Sequence, residues 1–315
     1  MSSGSASHNI EVAPGFYTID LVFREVSGVI ASYLLAGDDD LTLIETGPTT
    51  TIDSLLAGIR EAGFKPEQVR KILVTHIHLD HAGAAGVFMR DYPDSKLYVH
   101  RKGAVHMTDP ARLLDSAARI YGDQMVPLWG EVVGVPEDRV ELLDDGATIM
   151  AAGRELIAVD TPGHAGHHMS YLDAVSGDLF TGDIGGVRLD DASYVRPPTV
   201  PPEFDYEVWQ QSITKLRRLQ PKRLFPTHFG GFDDPDWHFD DLLTRLGNWT
   251  GWTEAQLQHG VERDALIEEL RAKGDGELQA ILGSTELAKP YDVATAYYMT
   301  VDGLMRYFRK RERRS

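Results

Sequence analysis

The sequence of 315 residues contains no cysteine. Disulfide scaffolds, cysteine-ligated zinc, iron–sulfur clusters and thiol nucleophiles are therefore excluded, and a bound metal must be held by His, Asp or Glu side chains. The sequence also lacks an apolar run of the roughly 20 residues that a membrane-spanning helix needs. Its first residues lack the basic start and apolar centre of a secretory signal. These absences predict a cytoplasmic protein with no membrane partner.

Positive charge is scarce in this chain. It has 31 Lys and Arg residues against 48 Asp and Glu residues, which gives a formal net charge of −17. A surface this acidic repels phosphate backbones, so we expect no nucleic-acid partner. A small molecule is the expected partner instead.

Short runs typical of buried strands alternate with helical patterns over the first 230 residues or so. The strand patterns cover residues 16–23, 29–36, 41–44, 71–74, 96–100, 154–160, 168–172, 179–182 and 223–226. The helical patterns cover residues 52–63, 82–92 and 206–219. This order favours an α/β fold in which the functional groups lie at strand ends.

The chain is expected to have three parts. Residues 1–9 are small and polar and predict a flexible tail, residues 10–240 predict the main α/β domain, and residues 241–315 predict a helical extension. The apolar stripes of the extension must bury against the main domain or across a subunit interface, so a homodimer is one expected assembly. Residues 101–139 predict an irregular helical excursion, either a lid over a site or a packed surface element.

A dense group of metal-binding residue types follows the strand pattern at 71–74. It consists of His76, His78, Asp80 and His81. In an extended segment, residues two apart point the same way, so His76 and His78 are able to converge on one metal ion. Asp80 and His81 lie where the chain turns towards a helix and are able to reach a second ion. One short motif therefore predicts ligands for two neighbouring metals.

Further candidate ligands lie downstream at strand ends. His164 follows the strand pattern at 154–160, Asp183 follows the pattern at 179–182, and His228 follows the last strand pattern. Strand ends lie side by side at one edge of a sheet, so these side chains are placed to complete a metal site.

The ordered set of these seven residues resembles the metallo-β-lactamase superfamily, on its glyoxalase II and lactonase side, over residues 16–232. The resemblance implies a four-layer αββα sandwich, with the site at the shared edge of two sheets. It also implies one role for each of the seven residues: His76, His78 and His164 would hold the first metal, Asp80, His81 and His228 the second, and Asp183 would bridge them.

Two positions depart from the family pattern. Glu45 stands in a Glu-Thr-Gly turn where the family usually has Asp, whose carboxylate hydrogen-bonds to a ligand histidine and orients it. Glu is one methylene longer, so its reach differs. In the run from His164 to His168, His168 keeps the place of the family's second histidine, and we expect it to support a ligand rather than to bind metal.

The expected cofactor is a pair of divalent ions. Zn²⁺ is the first choice, while Fe and Mn also accept imidazole and carboxylate ligands. Two such ions would lower the pKa of water and generate a bridging hydroxide at neutral pH, with Asp80 and Asp183 as the catalytic carboxylates. The leading hypothesis is therefore a dinuclear metallohydrolase that cleaves a lactone, a thioester or a carboxylic ester.

Other functions stay open from the sequence. The same fold would serve an iron-dependent oxidoreductase that resembles persulfide dioxygenases or diiron proteins, or a metal-stabilised binding module. Hydrolysis of β-lactams or phosphoesters would be a side activity. Metal identity, and activity after loss of Asp183, separate these alternatives.

The substrate pocket is the least determined feature of the sequence. Several aromatic residues and one arginine lie in segments that would wall a pocket, with the arginine available to clamp a carboxylate or phosphate. These candidates are Phe23, Tyr121, Trp129, Tyr194 and Arg196.

Overall fold

A computed structural model describes residues 8–38 and 40–313 of the chain. Most of the expected tail lies outside these residues, and the first strand begins at Asn9. The chain divides into two compact units. The first unit runs up to Val159 and also contains Tyr171–Val175, and the second contains Asp160–Ser170 and the chain from Ser176 onward. Among the described residues, every helix is too short or too polar to cross a membrane.

Two β-sheets carry the strands. In chain order the strands are β1 (Asn9–Ala13), β2 (Phe16–Asp20), β3 (Ala31–Ala36), β4 (Leu41–Ile44), β5 (Val69–Leu73), β6 (Lys96–His100), β7 (Val140–Leu143), β8 (Thr148–Ala151), β9 (Arg154–Asp160), β10 (Met169–Asp173), β11 (Asp178–Phe180) and β12 (Arg223–Phe225). One sheet has the order β1-β2-β3-β4-β5-β6-β7 and the other has the order β12-β11-β10-β9-β8.

Helices fill most of the remaining chain. They are α1 (Ile52–Glu61), α2 (Leu79–Ala82), α3 (Ala85–Asp91), α4 (Arg101–Thr108), α5 (Ala111–Tyr121), α6 (Met125–Trp129), α7 (Tyr206–Arg218), α8 (Pro235–Gln258), α9 (Arg263–Leu282), α10 (Ala288–Ala294) and α11 (Tyr297–Glu312). The expected excursion at 101–139 thus contains α4, α5 and α6, and the expected helical extension contains α9 to α11 with most of α8.

The parallel part of the first sheet positions the histidine motif. Strands β4, β5, β6 and β7 pair in parallel, with Ile44 opposite Leu73. The central strands of this part are largely apolar and buried on both faces, as parallel strands covered by helices require. Their carboxyl ends share one edge of the sheet, and the amide of Glu45 donates to the carbonyl of Leu73 at 2.8 Å. The residues that follow β4 and β5 therefore meet at that edge.

The end of the excursion packs close to this edge. The hydroxyl of Thr49 donates to the Glu131 carbonyl at 2.6 Å, and the hydroxyl of Thr50 donates to the Leu128 carbonyl at 2.8 Å. The residues around α6 are thus bonded to the turn that follows β4.

The second unit has a core of its own, built where α8, α9 and α11 pack together. Trp249, Leu266, Leu270, Tyr297 and Val301 form one buried cluster there. The apolar stripes seen in the sequence at 242–249 and 297–308 supply much of this contact, so within this unit the helices bury one another.

The structure differs from the sequence analysis mainly in short elements. Strands β1, β7 and β8 have no counterpart among the predicted strands, because half of their residues or more are polar or partly exposed. The helix predicted over residues 82–92 is shorter, since α3 covers Ala85–Asp91, and the separate short helix α2 ends at Ala82. The strand predicted from residue 16 ends at Asp20, where the Asp20 carboxylate accepts from the backbone amides of Val22 and Gly28.

Candidate metal centre

The histidine motif of the first unit begins just after β5. His76 and His81 are fully buried, and His78 and Asp80 are partly exposed. The chain leaves β5 in an extended segment and enters α2 at Leu79, so that His81 lies in the first turn of that helix. Tyr171 donates its buried hydroxyl to the carbonyl of Val74 at 2.7 Å and fixes the point where the motif starts. Burial raises the pKa of Tyr171, so the hydroxyl keeps its proton.

Glu45 orients two histidines of this motif at once. Its Oε1 lies 3.1 Å from His81 Nδ1, and it also accepts from the Thr75 hydroxyl. Because the Thr75 proton is given to Glu45, the Thr75 oxygen accepts from His76 Nδ1 at 3.1 Å. Both imidazoles thus carry their proton on Nδ1 and present the lone pair of Nε2. A carboxylate that fixes the tautomer of a metal ligand in this way is a common feature of metal sites.

The ligand atoms of the motif lie close together. His76 Nε2 and His78 Nδ1 are 2.9 Å apart, and His81 Nε2 is 3.7 Å from Asp80 Oδ2. The ring centroids of His76 and His81 are 3.9 Å apart. Three imidazoles and a carboxylate are thereby concentrated at the end of one strand, and these are the donor types that divalent transition metals prefer in the absence of thiolate.

The three downstream candidates meet in the second unit. His164 Nε2 lies 3.4 Å from Asp183 Oδ2, and His228 Nε2 lies 3.4 Å from Asp183 Oδ1. All three residues are buried. Two ligands at about 2.1 Å from one tetrahedral ion are separated by roughly 3.4 Å, which is longer than an ordinary hydrogen bond. Each oxygen of Asp183 therefore faces a different histidine, at the separation that two ligands of one ion would have.

The turn that carries Asp183 is held by two ring N–H groups. Trp209 Nε1 donates to the carbonyl of Ile184 at 3.0 Å, and His238 Nε2 donates to the carbonyl of Gly185 at 2.7 Å. Burial lowers the pKa of His238 to about 4, so its ring is neutral at physiological pH. Both donors come from helices, Trp209 from α7 and His238 from α8, so the position of the Asp183 turn depends on helix packing.

His168 lies beside the same turn without joining the ligand group. The amide of Ile184 donates to His168 Nε2 at 3.4 Å, so Nδ1 carries the proton and donates to the Thr161 hydroxyl at 2.9 Å. Its ring nitrogens are thus used to hold the backbone next to Asp183. This arrangement matches a supporting role rather than metal binding.

His164 is oriented by a main-chain oxygen. Its Nδ1 lies 2.9 Å from the carbonyl of Pro198, which is only able to accept, so Nδ1 carries the proton and Nε2 faces Asp183. His228 is tied through its backbone, since the amide of Arg188 donates to the His228 carbonyl at 2.7 Å. The Nε2 atom of each histidine faces Asp183, and the donor set fits divalent metal ions.

The candidate substrate residues fall into two groups. Phe23 stacks on Trp129 with centroids 5.7 Å apart, and Tyr121 meets the edge of Trp129 at 5.0 Å. These three rings form an aromatic cluster in the first unit. Trp129 is 5% exposed and Phe23 4%, so most of the cluster faces protein rather than solvent.

Tyr194 and Arg196 lie in the core of the second unit. Arg196 is fully buried, donates to the Tyr297 hydroxyl at 2.6 Å and lies 4.4 Å from that ring's centroid. Tyr194 is also fully buried and packs against Tyr291. These contacts account for both side chains as core residues, so we assign neither of them a role with substrate.

Several residues that position the candidate ligands carry no recognisable signal in the sequence. These residues are Thr75, which bonds to the adjacent His76, and Pro198, whose carbonyl accepts from His164. Trp209 and His238 hold the turn of Asp183 and are distant from it in sequence. A single histidine or tryptophan on a helix carries no sequence signal that separates this role from ordinary packing.

Comparison with known proteins identifies the family. The family model of the metallo-β-lactamase superfamily matches residues 27–228, which is more than half of the chain. The chain belongs to the metallo-β-lactamase superfamily. The predicted resemblance and the predicted α/β sandwich fold are thereby confirmed, and the family and the names of its members indicate an enzyme of the metallohydrolase class.

Individual superfamily members resemble this chain at low identity. A metallo-β-lactamase fold-containing protein of Sulfurisphaera tokodaii is 27% identical over 76% of this chain and 84% of its own length. A hydroxyacylglutathione hydrolase of a Synechococcus strain is 29% identical over 48% of this chain and 47% of its own length. The crystal structure of a metallo-β-lactamase family protein from Thermus thermophilus has a TM-score of 0.68 at 20% identity, and the match covers 96% of this chain and 95% of that one.

Proposed function

We propose that this superfamily member is a dinuclear metallohydrolase that cleaves an ester-like bond. The observation that carries the proposal is the position of Asp183, whose two carboxylate oxygens each face a different histidine at 3.4 Å. A carboxylate that binds a single ion has no need of a second histidine on its other oxygen. Two ions bridged by Asp183 would use both oxygens and both histidines.

The proposed ligand groups combine the two histidine clusters described above. Following the family resemblance, we assign His76, His78 and His164 to one ion and Asp80, His81 and His228 to the other, with Asp183 shared. Each group contains at least two imidazoles, and the carboxylates supply the negative charge. Zn²⁺ is the metal we propose, since thiolates are absent and imidazole nitrogen is among its ordinary ligands.

The residues of the chain have separate proposed tasks in hydrolysis. Divalent ions, when bound, lower the pKa of water and polarise the carbonyl of a substrate. Asp183 is placed to accept the proton of the attacking water and to return it to the leaving oxygen or sulfur atom. Asp80 is partly exposed, lies 3.7 Å from His81 Nε2 and would supply the second negative charge. Glu45 keeps His76 and His81 in the tautomer that presents Nε2, and so prevents either ring from donating a proton there.

The substrate class follows from the charge and chemistry of this centre. Two divalent cations with two ligand carboxylates keep a net positive charge, which stabilises an oxyanion in the transition state. A lactone, a thioester or a simple carboxylic ester develops such an oxyanion. The similarity to a hydroxyacylglutathione hydrolase supports the thioester as one member of this group.

The proposal is tested with the full-length protein loaded with two equivalents of Zn²⁺. It is assayed against a lactone, a thioester and a carboxylic ester, and metal content is measured on the same samples. We expect hydrolysis of at least one substrate, with loss of activity on chelation and recovery on re-addition of Zn²⁺.

Two outcomes would overturn the proposal. One is a protein with two ions bound that hydrolyses none of the three substrate classes. The other is protein purified with iron that consumes oxygen in the presence of a persulfide, which would favour an oxidoreductase.

Compartment and assembly stay predictions from the sequence. We propose a cytoplasmic protein whose partner is a small molecule, and a homodimer as its assembly. Fractionation of cells and light scattering of the purified chain check these two points.

A further inference from the structure

The C-terminal helix α11 holds a proline-rich loop formed by residues 196–202. Tyr297 accepts from Arg196 at the start of the loop, and the Thr199 hydroxyl donates to the Thr300 carbonyl at 3.2 Å. At the end of the loop, the Nε of Arg306 donates to the carbonyl of Pro202 at 3.0 Å. The loop is therefore bonded to α11 at its start, centre and end.

At the centre of this contact, the backbones of α11 and the loop approach closely because residue 303 is a glycine. A Cβ atom built on Gly303 would lie 1.8 Å from the carbonyl oxygen of Thr199 and 3.0 Å from the carbonyl carbon of Val200. No side chain larger than hydrogen fits there unless the helix and the loop separate by roughly 1 Å, because protein interiors are close-packed. The α11 backbone at Gly303 thus fixes the distance of the loop from the helix.

The loop carries the oxygen that orients a metal ligand. The carbonyl of Pro198 lies next to Thr199 and accepts from His164 Nδ1 at 2.9 Å. His164 and Thr199 are both fully buried or nearly so, at 1% and 0% exposure. A displacement of the loop at Thr199 is therefore transmitted to the atom that sets the ring direction and the tautomer of His164.

We propose that α11 positions one ligand of the metal centre, and that Gly303 and Thr199 are positioning residues that act on His164 through the carbonyl of Pro198. This inference rests on the proposed metal-binding role of His164. It gives the C-terminal helix a task in setting the affinity of one metal position, in addition to the packing of the helical core. Neither residue contacts a ligand atom directly.

The first test compares Gly303→Ala with Gly276→Ala in the full-length protein. Both glycines lie within helices, but a Cβ atom on Gly276 would meet nothing within 4 Å. Zn²⁺ binding is measured by competition with a chromogenic chelator, and the tautomer of His164 is read from the ¹⁵N shifts of its imidazole ring. We expect one of two Zn²⁺ ions to bind 10- to 100-fold more weakly in Gly303→Ala, as for other partners of metal ligands. Gly276→Ala should bind both ions as the wild type does.

The result that overturns the inference is a folded Gly303→Ala protein whose two Zn²⁺ affinities and His164 shifts equal those of Gly276→Ala. A purely structural role of α11 would lower thermal stability and leave these readouts unchanged. Hydrolysis by the wild type decides the proposed function separately, because the metal titration and the ring shifts need no substrate.

A milder pair of variants covers the case in which Gly303→Ala does not fold. Thr199→Val removes the hydroxyl that donates to Thr300 and keeps the shape of the side chain. Thr253→Val is the matched control, since the Thr253 hydroxyl is buried with no hydrogen-bond partner among the described residues. We expect Thr199→Val to bind one of the two Zn²⁺ ions about 5-fold more weakly, which corresponds to the loss of one hydrogen bond. Equal affinities in the two variants would contradict the inference.

Discussion

The two groups of candidate ligands are fixed in different ways. In the first unit, His76, His78, Asp80 and His81 come from one stretch of six residues, and the side chain of Glu45 orients two of them. In the second unit, the ligands come from three separate turns. There the contacts that fix them run through main-chain atoms, such as the Pro198 carbonyl that accepts from His164 and the Gly185 carbonyl, in the turn of Asp183, that accepts from His238.

This difference shows where each half of the proposed centre gets its geometry. The first half is determined locally, because a strand end, a short helix and one carboxylate are enough to aim its imidazoles. The second half is determined by tertiary structure, because α7 and α8 hold the turn that carries Asp183, and α11 holds the loop whose carbonyl accepts from His164. Substitutions should therefore act through charge in the first half and through backbone position in the second.

The largest expected effect comes from Asp183→Asn. The variant keeps the shape of the side chain but loses the negative charge and one of the two oxygens that face His164 and His228. We expect metal content to fall from two ions to one or none, and hydrolysis to fall by more than the roughly 100-fold seen for partners of ligands. Metal analysis and the ester assay are run on the same preparation.

Asp160→Asn provides a comparison in the same unit for that substitution, since Asp160 ends β9 and is not a candidate ligand. An Asp183→Asn protein that keeps two ions and wild-type activity would remove the bridging carboxylate from the proposal. It would also erase the contrast between the two ligand groups.

The next expected effect is a pH dependence of stability that arises from His238 in the second unit. The pKa of His238 is about 4 when folded, against about 6.5 when unfolded. Below pH 6.5 His238 binds a proton in the unfolded chain, whereas in the folded chain it stays neutral down to about pH 4. Acidification therefore stabilises the unfolded state, and the free energy of unfolding falls. The loss from this group reaches about 3 kcal/mol at pH 4.

His238→Gln isolates this contribution, because the amide donates to the Gly185 carbonyl without titrating. Urea unfolding at pH 7, 5.5 and 4 should show a wild-type stability that drops towards that of the variant, or below it, as pH falls. His259→Gln, at an exposed position, should leave the pH profile of the wild type unchanged. Parallel profiles for wild type and His238→Gln would show that His238 does not couple the turn to pH.

The third prediction concerns the first unit. Glu45→Gln keeps the length of the side chain but removes the charge that accepts from His81 and, through Thr75, controls His76. We expect Zn²⁺ affinity to fall 10- to 100-fold, about 1.4–2.7 kcal/mol, with little change in the backbone.

The matched variant is Glu61→Gln, which removes a charge that faces the partly exposed His8. It should leave metal binding unchanged. Equal Zn²⁺ affinities in Glu45→Gln and wild type would mean that the first unit does not depend on its carboxylate, and the two regions would no longer differ as described.

The sequence predicts the first half of the candidate centre better than the second. The spacing of His76, His78, Asp80 and His81 has a geometric meaning in any strand that leads into a helix, so residue types alone indicate a metal site. For His164, Asp183 and His228 the residue types show only that each follows a strand. Their assignment to particular ions came from the family resemblance.

The fold could be predicted in its regular elements and not in its marginal ones. Strands with continuous apolar runs, such as β4 and the end of β5, are visible in the sequence because both faces are buried. In β8 exposed and buried residues alternate, and β7 is mostly partly exposed or exposed. Whether such segments form strands depends on their pairing with neighbouring strands in the fold. The roles of Trp209 and His238 depend on the carbonyl that each ring meets, and that carbonyl is set by the packing of distant helices.

The contact between His164 and a main-chain oxygen has a consequence for how such an enzyme tolerates change over generations. Every residue type has a backbone carbonyl, so replacing the side chain at position 198 preserves the acceptor. The acceptor at Glu45 is a side-chain carboxylate, so a single substitution there removes it. Adding or removing one residue within 196–202 would instead shift the acceptor out of register. Among related sequences, we therefore expect the loop at 196–202 to vary in residue type but to keep its length.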